Sequence, residues 1–276
     1  PQIIPNPSFE SNTGCPTNHS QTSLINTWQA TIVSNGNQST PDYYNSCGYV
    51  GPAVNGWVIP TAPFPDGDGY VGFLNDWQPN NGNYNENIGT CLTTPFLNGV
   101  NYTMEFYIAY GSGNLDAEIS LYGAANCGDL PYATNAFAGC PTTASADWIE
   151  LGSVTSTLSV GGDWKHVAIS FTPTADVNAI VLGPPCDTVY VDRDYYYLDD
   201  ITIASPSFPY VVFIDSTGSY CAGNVELIAE TDSIPISYQW YVDGIALVGE
   251  TSSSYNVPGG EIGEYQVVVE YGSSCY

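Results

Sequence analysis

The run YYYLDDITI at residues 195–203 is the clearest strand in this sequence. Aromatic and β-branched residues dominate it, and these residue types are enriched in strands. Because alternate side chains of a strand share a face, Asp199 is expected on the same face as Tyr197, Ile201 and Ile203, the inward face of a sandwich. A lone carboxylate buried there costs several kcal/mol unless a cation or hydrogen bonds compensate it. The run therefore predicts a buried strand whose carboxylate needs a partner.

Similar runs recur along the chain, and turn formers separate them about every ten residues. Gly (28) and Pro (20) are abundant, and long runs of Ala, Leu, Glu and Lys are missing, so little material is available for helices. The sequence predicts an all-β protein whose N-terminal part is a β-sandwich of eight or more strands. Further strand candidates in that part are 101–110, 118–122, 164–171 and 178–182.

The run ASPSFP at 204–209 is the best candidate for a linker, because it separates two segments of different residue composition. We therefore predict two domains, 1–205 and 206–276. The second domain reads as a small β-sandwich with Trp240 in its core. Its predicted strands are 225–229, 237–242 and 263–269.

The charge of the chain excludes several classes of partner. It has 28 acidic residues, two basic ones and a net charge of −26, so it cannot neutralise a phosphate backbone or an anionic membrane. No run of about 18 apolar residues predicts a membrane span. Both domains are acidic, since 19 acids and both bases precede residue 206 and nine acids without a base follow. This composition suits saline surroundings in which ions screen the self-repulsion.

The eight cysteines stand at positions 15, 47, 91, 127, 140, 186, 221 and 275. None belongs to a C-x-x-C pair, and neither His19 nor His166 lies at metal-ligand spacing, so a zinc site is disfavoured. An even count without metal spacing favours disulfides and an extracellular location. The start at Pro1 without a signal peptide fits a mature secreted chain, and the stop after Tyr276 leaves room for further domains.

Several N-terminal motifs resemble a known fold. NPSFE (6–10), TPDYYNSC (40–47) and YYYLDDI (195–201) resemble galactose-binding-type jelly rolls, the fold of many carbohydrate-binding modules. The middle segments, such as DGDGYVGFLN (66–75) and IVLGPPC (180–186), resemble a domain at the start of large secreted Bacteroidetes proteins. Those proteins often continue into PKD-like repeats, gliding-motility-associated segments and a type IX secretion signal.

The C-terminal domain resembles immunoglobulin-like and PKD-like modules of bacterial surface proteins. The resemblance lies in YQWYVDG (238–244) and GEYQVVV (263–269). Val267 stands where the antibody pattern has its second cysteine, so Cys221 and Cys275 are expected to join the first strand to the last instead. For the other cysteines we predict the pairs Cys127–Cys140, Cys15–Cys47 and Cys91–Cys186.

The resemblance to jelly rolls implies that the first and last strands lie side by side. Glu10 and Asp199 would then close around a structural calcium ion, which prefers six to eight oxygen ligands. The alternative makes them surface carboxylates flanking the end of a strand. A second acidic segment, residues 66–69, resembles part of a calcium loop but lacks the spacing of an EF-hand, and we predict a Gly-rich turn that leads into the strand 70–74.

Other candidate sites are weaker. Trp77 and Tyr84 lie in the polar run 75–84 and are candidates for contact with a sugar or a protein, the alternative being packing within the loop. Three tripeptides match the D-[ST]-hydrophobic form of Bacteroidetes O-glycosylation sites, with acceptors Thr188, Ser216 and Ser233. No G-x-S-x-G motif is present, and His166 is predicted to be a half-exposed structural residue, so catalysis is disfavoured.

We therefore predict a secreted or cell-surface, non-enzymatic protein that serves adhesion or builds an extracellular appendage or matrix. Its partners would be other copies of itself or other surface proteins. The alternative is a carbohydrate-binding module that targets a polysaccharide. A third hypothesis is a degradative enzyme whose catalytic domain lies beyond Tyr276.

Overall fold

The computed structural model divides the chain into two compact units, Pro1–Pro206 and Ser207–Tyr276, one residue from the predicted boundary. For residues 76–78, 82–84 and 204 it describes the backbone alone. The described residues are 3–32, 41–51, 57–78, 82–133, 140–186, 193–204, 212–219, 223, 225–231, 235, 237–259 and 262–270.

The N-terminal unit is a sandwich of two antiparallel sheets. The five-stranded sheet has the order β1 (Trp28–Ala30), β5 (Ile88–Phe96), β10 (Val177–Gly183), β7 (Asp116–Ala124) and β8 (Trp148–Thr157). The six-stranded sheet has the order β2 (Asp42–Asn45), β3 (Gly69–Gln78), β11 (Asp194–Ala204), β6 (Tyr102–Ser112) and β9 (Lys165–Phe171), with β4 (Gly82–Asn85) paired to β3. The all-β jelly-roll prediction is confirmed.

Helical structure in the described residues is limited to short turns, the α-helix Pro141–Ala144 and the 3-10 turns Thr22–Leu24 and Cys127–Asp129. None of these helices has the length or apolarity to cross a membrane. The composition explains this, since β-branched and aromatic residues fill the runs between turns.

The core lies between the two sheets and follows the period of two along each strand. On β6, Met104, Phe106 and Ile108 are fully buried while the residues between them face outward. Fully burying a side chain of this size stabilises the fold by about 1.5–3 kcal/mol. The opposite sheet contributes residues such as Ile119 and Leu182 to the same cluster.

A β-bulge interrupts β11 and corrects the prediction for Asp199. Between residues 199 and 202, β11 advances three residues while β6 advances two, and the inserted Asp200 has a φ of 51°. Ile201 and Ile203 therefore pack in the sandwich core, whereas Asp199 stays with Tyr197 on the outer face of the sheet. The predicted common face for Asp199, Ile201 and Ile203 is wrong, because one extra residue reverses the alternation.

Three disulfides cross-link the N-terminal unit. Cys15–Cys47 is confirmed, with a Cα–Cα distance of 5.6 Å. The predicted pairs Cys127–Cys140 and Cys91–Cys186 are wrong, because the structure joins Cys91 to Cys127 (Cα–Cα 5.4 Å) and Cys140 to Cys186 (Cα–Cα 5.2 Å). Disulfides of this kind indicate an oxidising, extracellular compartment.

Strand order explains the corrected pairing. Both Cys91 on β5 and Ala124 at the end of β7 lie opposite Ala179 on β10. The turn after β7 therefore needs to cross only β10 to bring Cys127 to Cys91. The loops after β7 pack Leu130 on the outer face of the five-stranded sheet, so two of the disulfides secure a covering over that face.

The C-terminal unit is a smaller sandwich of two three-stranded sheets. One has the order β12 (Val212–Thr217), β13 (Val225–Thr231) and β16 (Ser254–Val257), and the other β15 (Ile245–Ala246), β14 (Ser237–Val242) and β17 (Tyr265–Glu270). Trp240 is fully buried between them, which confirms its predicted place in the core. The predicted bridge Cys221–Cys275 lies outside the described residues.

Candidate functional site

Four tyrosines cover part of the outer face of the six-stranded sheet, and we call Tyr44, Tyr70, Tyr195 and Tyr197 the aromatic shelf. All four are almost fully buried, and their ring centroids lie 5.2–5.9 Å apart in the contacting pairs. Edge-to-face and offset pairs of this kind each contribute about 0.5–1.5 kcal/mol. The shelf is thus a second apolar layer outside the main core.

A buried carboxylate anchors the shelf. Asp42 accepts hydrogen bonds from the hydroxyls of Tyr195 (2.5 Å) and Tyr44 (3.0 Å), and from the backbone N–H of Ser20 (2.6 Å). The two hydroxyls also lie 2.7 Å from each other. Burial, with the nearby charge of Asp42, raises the pKa of Tyr195 well above its usual range, so this hydroxyl stays a hydrogen-bond donor.

A segment of the same chain covers the shelf, and we call its described residues, 47–51 and 57–64, the strap. The ring of Trp57 packs 4.5 Å from that of Tyr195, and the hydroxyl of Tyr197 donates to the carbonyl of Val58 at 2.8 Å. The Cys15–Cys47 disulfide secures the start of the strap. These rings therefore pack against the protein's own loop rather than facing solvent.

Close approach of the shelf to its sheet requires glycine. A Cβ at Gly111 would lie 2.8 Å from the ring of Tyr195, and one at Gly72 would meet the hydroxyl of the same residue. The two glycines lie on the strands that flank β11, β6 and β3 respectively. Their missing side chains leave the room that the Tyr195 ring occupies.

The other end of this outer face is open to solvent, and we call Glu105, Tyr107 and His166 the open end. The rings of Tyr107 and His166 lie 5.0 Å apart, and His166 Nε2 is 3.7 Å from Glu105 Oε2. The side chains of His166 and Glu105 are 48% and 39% exposed, so the predicted half-exposed histidine is confirmed. This group could not be predicted from the sequence, because its members lie on two strands that only the sheet brings together.

The structure brings Glu10 and Asp199 to the same loop, residues 66–69, which we call the acidic loop. Glu10 Oε1 accepts hydrogen bonds from the backbone N–H groups of Asp68 (2.7 Å) and Gly69 (2.5 Å). Asp199 Oδ2 accepts one from the N–H of Asp66 (3.3 Å). The loop was predicted to be a turn, and its Asp-x-Asp pattern is the signal in the sequence for a larger role.

Burial dominates the electrostatics of Asp199. Its side chain is inaccessible to solvent, and burial raises its pKa to about 8, with the charges of Asp200 and Glu10 adding to the rise and two backbone N–H groups opposing it. The pKa of Asp200 is also raised by burial and by the charge of Asp66. Negative charge is therefore costly at Asp199 and Asp200, the two residues of β11 beside the acidic loop.

The segment that carries Glu10 is not the predicted first strand. Residues 6–9 form a turn closed by a hydrogen bond from the N–H of Phe9 to the carbonyl of Asn6 (3.2 Å). The segment still lies beside β11, because Ile201 donates its N–H to the carbonyl of Pro7 at 3.1 Å. Glu10 and Asp199 are neighbours for this reason, without strand pairing.

No group of three or more His, Cys, Asp or Glu side chains is arranged to hold a metal ion within the described ranges. The acidic loop offers carboxylate and hydroxyl oxygens, since the Ser8 hydroxyl donates to Asp66 Oδ2 at 2.6 Å. These are the ligand types that calcium prefers. Calcium at Glu10 and Asp199 thus stays a prediction.

Trp77 and Tyr84 lie on a β-hairpin rather than in a loop. Trp77 on β3 is in register with Asn83 on β4, and Asp76 with Tyr84. Their side chains lie outside the described residues, so the predicted contact role stays a prediction. Of the three predicted glycosylation sites, Ser216 lies on the exposed strand β12, while Thr188 and Ser233 lie outside the described residues.

Comparisons with solved structures find distant similarity. The K1 cleaved adhesin domain of Lys-gingipain from Porphyromonas gingivalis aligns with a TM-score of 0.37 and 13% identity, covering 72% of this chain and 96% of that chain. The CBM22-1–CBM22-2 tandem domain of Xyn10C from Paenibacillus barcinonensis aligns with a TM-score of 0.36 and 10% identity, covering 98% of this chain and 85% of that chain. No family model and no curated protein matches the chain. Similarity at this distance assigns neither a site nor a function.

Proposed function

We propose that this protein is a non-enzymatic component of the cell exterior that serves adhesion or builds an extracellular structure. The observation that supports the proposal best is the strap, which the aromatic shelf holds by ring packing and hydrogen bonds. Because the rings of the aromatic shelf pack against a loop of the same chain, they make the jelly roll more rigid and do not line a ligand cleft. Disulfides over both sheets add to this rigidity and constrain the unfolded chain.

The test is assembly and attachment by the purified full chain. We expect concentration-dependent oligomers or fibres by light scattering and electron microscopy, or saturable attachment of chain-coated beads to cells. Added salt should favour assembly between copies, because it screens the repulsion between chains of net charge −26. A chain that stays monomeric at high concentration and attaches to no surface contradicts the proposal.

A second candidate function, binding of a polysaccharide, has support at the open end. Tyr107 offers a half-buried ring there, and Glu105 and His166 offer polar groups that can bind hydroxyls. A sugar face stacks on such a ring. On a glycan array, Tyr107→Ala should abolish binding, while Tyr107→Phe, which keeps the ring, should retain it. Loss of binding with Trp77→Ala instead would place the contact on the β3–β4 hairpin.

We also propose that calcium binds at the acidic loop. Supporting this, Glu10 and Asp199 both hydrogen-bond to the loop, which itself carries Asp66 and Asp68. A divalent cation would offset the cost of the negative charge on the buried Asp199, with backbone carbonyls or water completing its ligands. EDTA should lower the melting temperature of the wild type, and an unchanged melting temperature contradicts the proposal.

The source and processing of the chain are part of the same proposal. We infer a secreted Bacteroidetes surface protein with a PKD-like second module, a type IX secretion signal in the full-length protein and O-glycosylation. Exposure of Ser216 on β12 supports glycosylation at that site. Glycopeptide mapping of the native protein should find a glycan on Ser216. If the peptide that contains Ser216 is recovered entirely without a glycan, the assignment is contradicted.

A further inference from the structure

The C-terminal unit has two six-residue strands with one edge unpaired among the described residues. β12 ends one sheet and pairs only with β13, and β17 ends the other sheet and pairs only with β14. The free edge of such a strand presents N–H and C=O groups that a further strand can bond. Within the described part of the unit, both edges are therefore available for strand addition.

The two free edges lie on the same side of the unit. Trp240 on β14 donates its backbone N–H to the carbonyl of Glu250 (3.0 Å) and its indole N–H to the carbonyl of Ser252 (2.9 Å). Because residues 250–253 lead into β16, β16 lies over the β14 side of the opposite sheet. β12, at the other end of its sheet, consequently lies towards the free edge of β17.

The inner face of β12 is only partly covered by the residues that the structure describes. Ile214 lies opposite Ala229, and directly opposed residues of an antiparallel pair share a face, so Ile214 and Val212 point toward the core side. Ile214 and Val212 are nevertheless 38% and 37% exposed, while Ala229 is 6% exposed. One added strand beside β17 would cover these side chains.

The charge of the C-terminal unit indicates which kind of added strand would bind beside β17. Residues 206–276 contain nine acids and no base. Glu264 precedes β17 and Glu270 is its last residue, and by strand alternation both lie on the outer face of β17, opposite the face that carries the buried Val269. A second copy of this unit would bring nine more acids and no base to the seam, so its strands complement the charge there less well than a cationic strand does.

We propose that this seam, the free edge of β17 together with the inner face of β12, binds an extended cationic strand from another protein. Apolar residues at alternate positions of that strand would cover Val212 and Ile214. Lys or Arg at the positions between them would lie on the outer face, beside Glu264 and Glu270, and backbone hydrogen bonds to β17 would fix the register.

The test uses the full chain and a peptide of about ten residues in which valine alternates with lysine, with binding measured by fluorescence anisotropy. A matched peptide N-methylated at alternate backbone nitrogens has the same charge and side chains but cannot pair along one edge. We expect the dissociation constant of the N-methylated peptide to be at least about tenfold higher than that of the unmodified peptide. Ile214→Thr should weaken binding several-fold, while the control Val248→Thr, at a position 97% exposed, should not.

Hydrogen exchange locates the contact. Asp243 donates its N–H to the carbonyl of Glu264, so by strand alternation Val267 and Val269 direct their N–H groups to the free edge. These two amides should become protected only when the peptide is added. Equal binding of the N-methylated peptide, protection of the amides before peptide is added, or displacement of the peptide by dimerisation of the chain would each overturn the proposal.

Discussion

The effect on stability of replacing Asp199 by asparagine should depend on pH, and calcium should shift it in favour of the wild type. Asp199 is inaccessible to solvent, and burial raises its pKa to about 8. In the unfolded chain a carboxyl of this type ionises near 3.8. Between these two pH values the folded protein holds one more proton at this site than the unfolded chain. Without a cation, stability therefore falls as the pH rises through this window.

The size of the effect follows from the difference between the two pKa values. At about 1.4 kcal/mol per pH unit, the wild type loses about 6 kcal/mol of unfolding free energy at Asp199 by pH 8, and about 4 kcal/mol by pH 7. The asparagine side chain of the variant does not ionise and so avoids this loss. The carboxylate accepts N–H groups from Asp66 and Asp200, of which an amide oxygen can retain only part, at a cost of about 1–2 kcal/mol.

The assay is denaturant unfolding of the N-terminal unit within the full chain at pH 4–9, with EDTA and with calcium. In EDTA, Asp199→Asn should be slightly less stable than the wild type near pH 4 and more stable by several kcal/mol at pH 8. Calcium at about one hundred times its dissociation constant should stabilise the wild type by about 2.7 kcal/mol and leave the variant unchanged. The difference in unfolding free energy by which the variant exceeds the wild type at pH 8 should then become smaller by about the same amount.

The control is Asp147→Asn, which changes an exposed acid whose hydrogen bond with the Ser145 hydroxyl an amide oxygen can keep. It should follow the wild type at every pH. A difference between wild type and Asp199→Asn that does not vary with pH in EDTA would falsify the argument from burial. Equal stabilisation of both proteins by calcium would place the ion elsewhere.

Three further perturbations test the packing around the sites. Tyr195→Phe removes a hydroxyl that donates to Asp42 and should lower the unfolding free energy by about 1–3 kcal/mol, with near-UV circular dichroism reporting an intact fold. Gly67→Ala places a Cβ on a residue with a φ of 70° and should lower the unfolding free energy by about 1 kcal/mol or more. A lower urea concentration at the unfolding midpoint would measure this loss. Replacing Cys140 and Cys186 together by serine opens a 46-residue link and should cost about 4 kcal/mol, and non-reducing peptide mapping of the wild type should recover the Cys140–Cys186 peptide.

Local patterns in the sequence determined the fold class and the division into units. Strand and turn composition is a property of neighbouring residues, so the all-β sandwiches and the buried Trp240 could be predicted. The acidic character of both units is likewise a count of residues. The proximity of Glu10 to the site of Asp199 came from the resemblance to jelly rolls rather than from any local pattern.

Tertiary structure decided what depends on strand order and register. The inserted Asp200 in β11 turns Ile201 and Ile203 into the core while Asp199 stays on the outer face, and the alternation of apolar residues in the sequence does not reveal one extra residue. Because β10 lies between β5 and β7, Cys91 and Cys127 come close enough to form a disulfide. Their spacing in the sequence cannot select this pair from the fifteen connectivities that six cysteines allow. The strap covers the aromatic shelf because Trp57 and Tyr195, 138 positions apart by their numbers, meet only when the sheet forms. Contacts between residues so far apart depend on the folded backbone, and the sequence around each residue does not specify them.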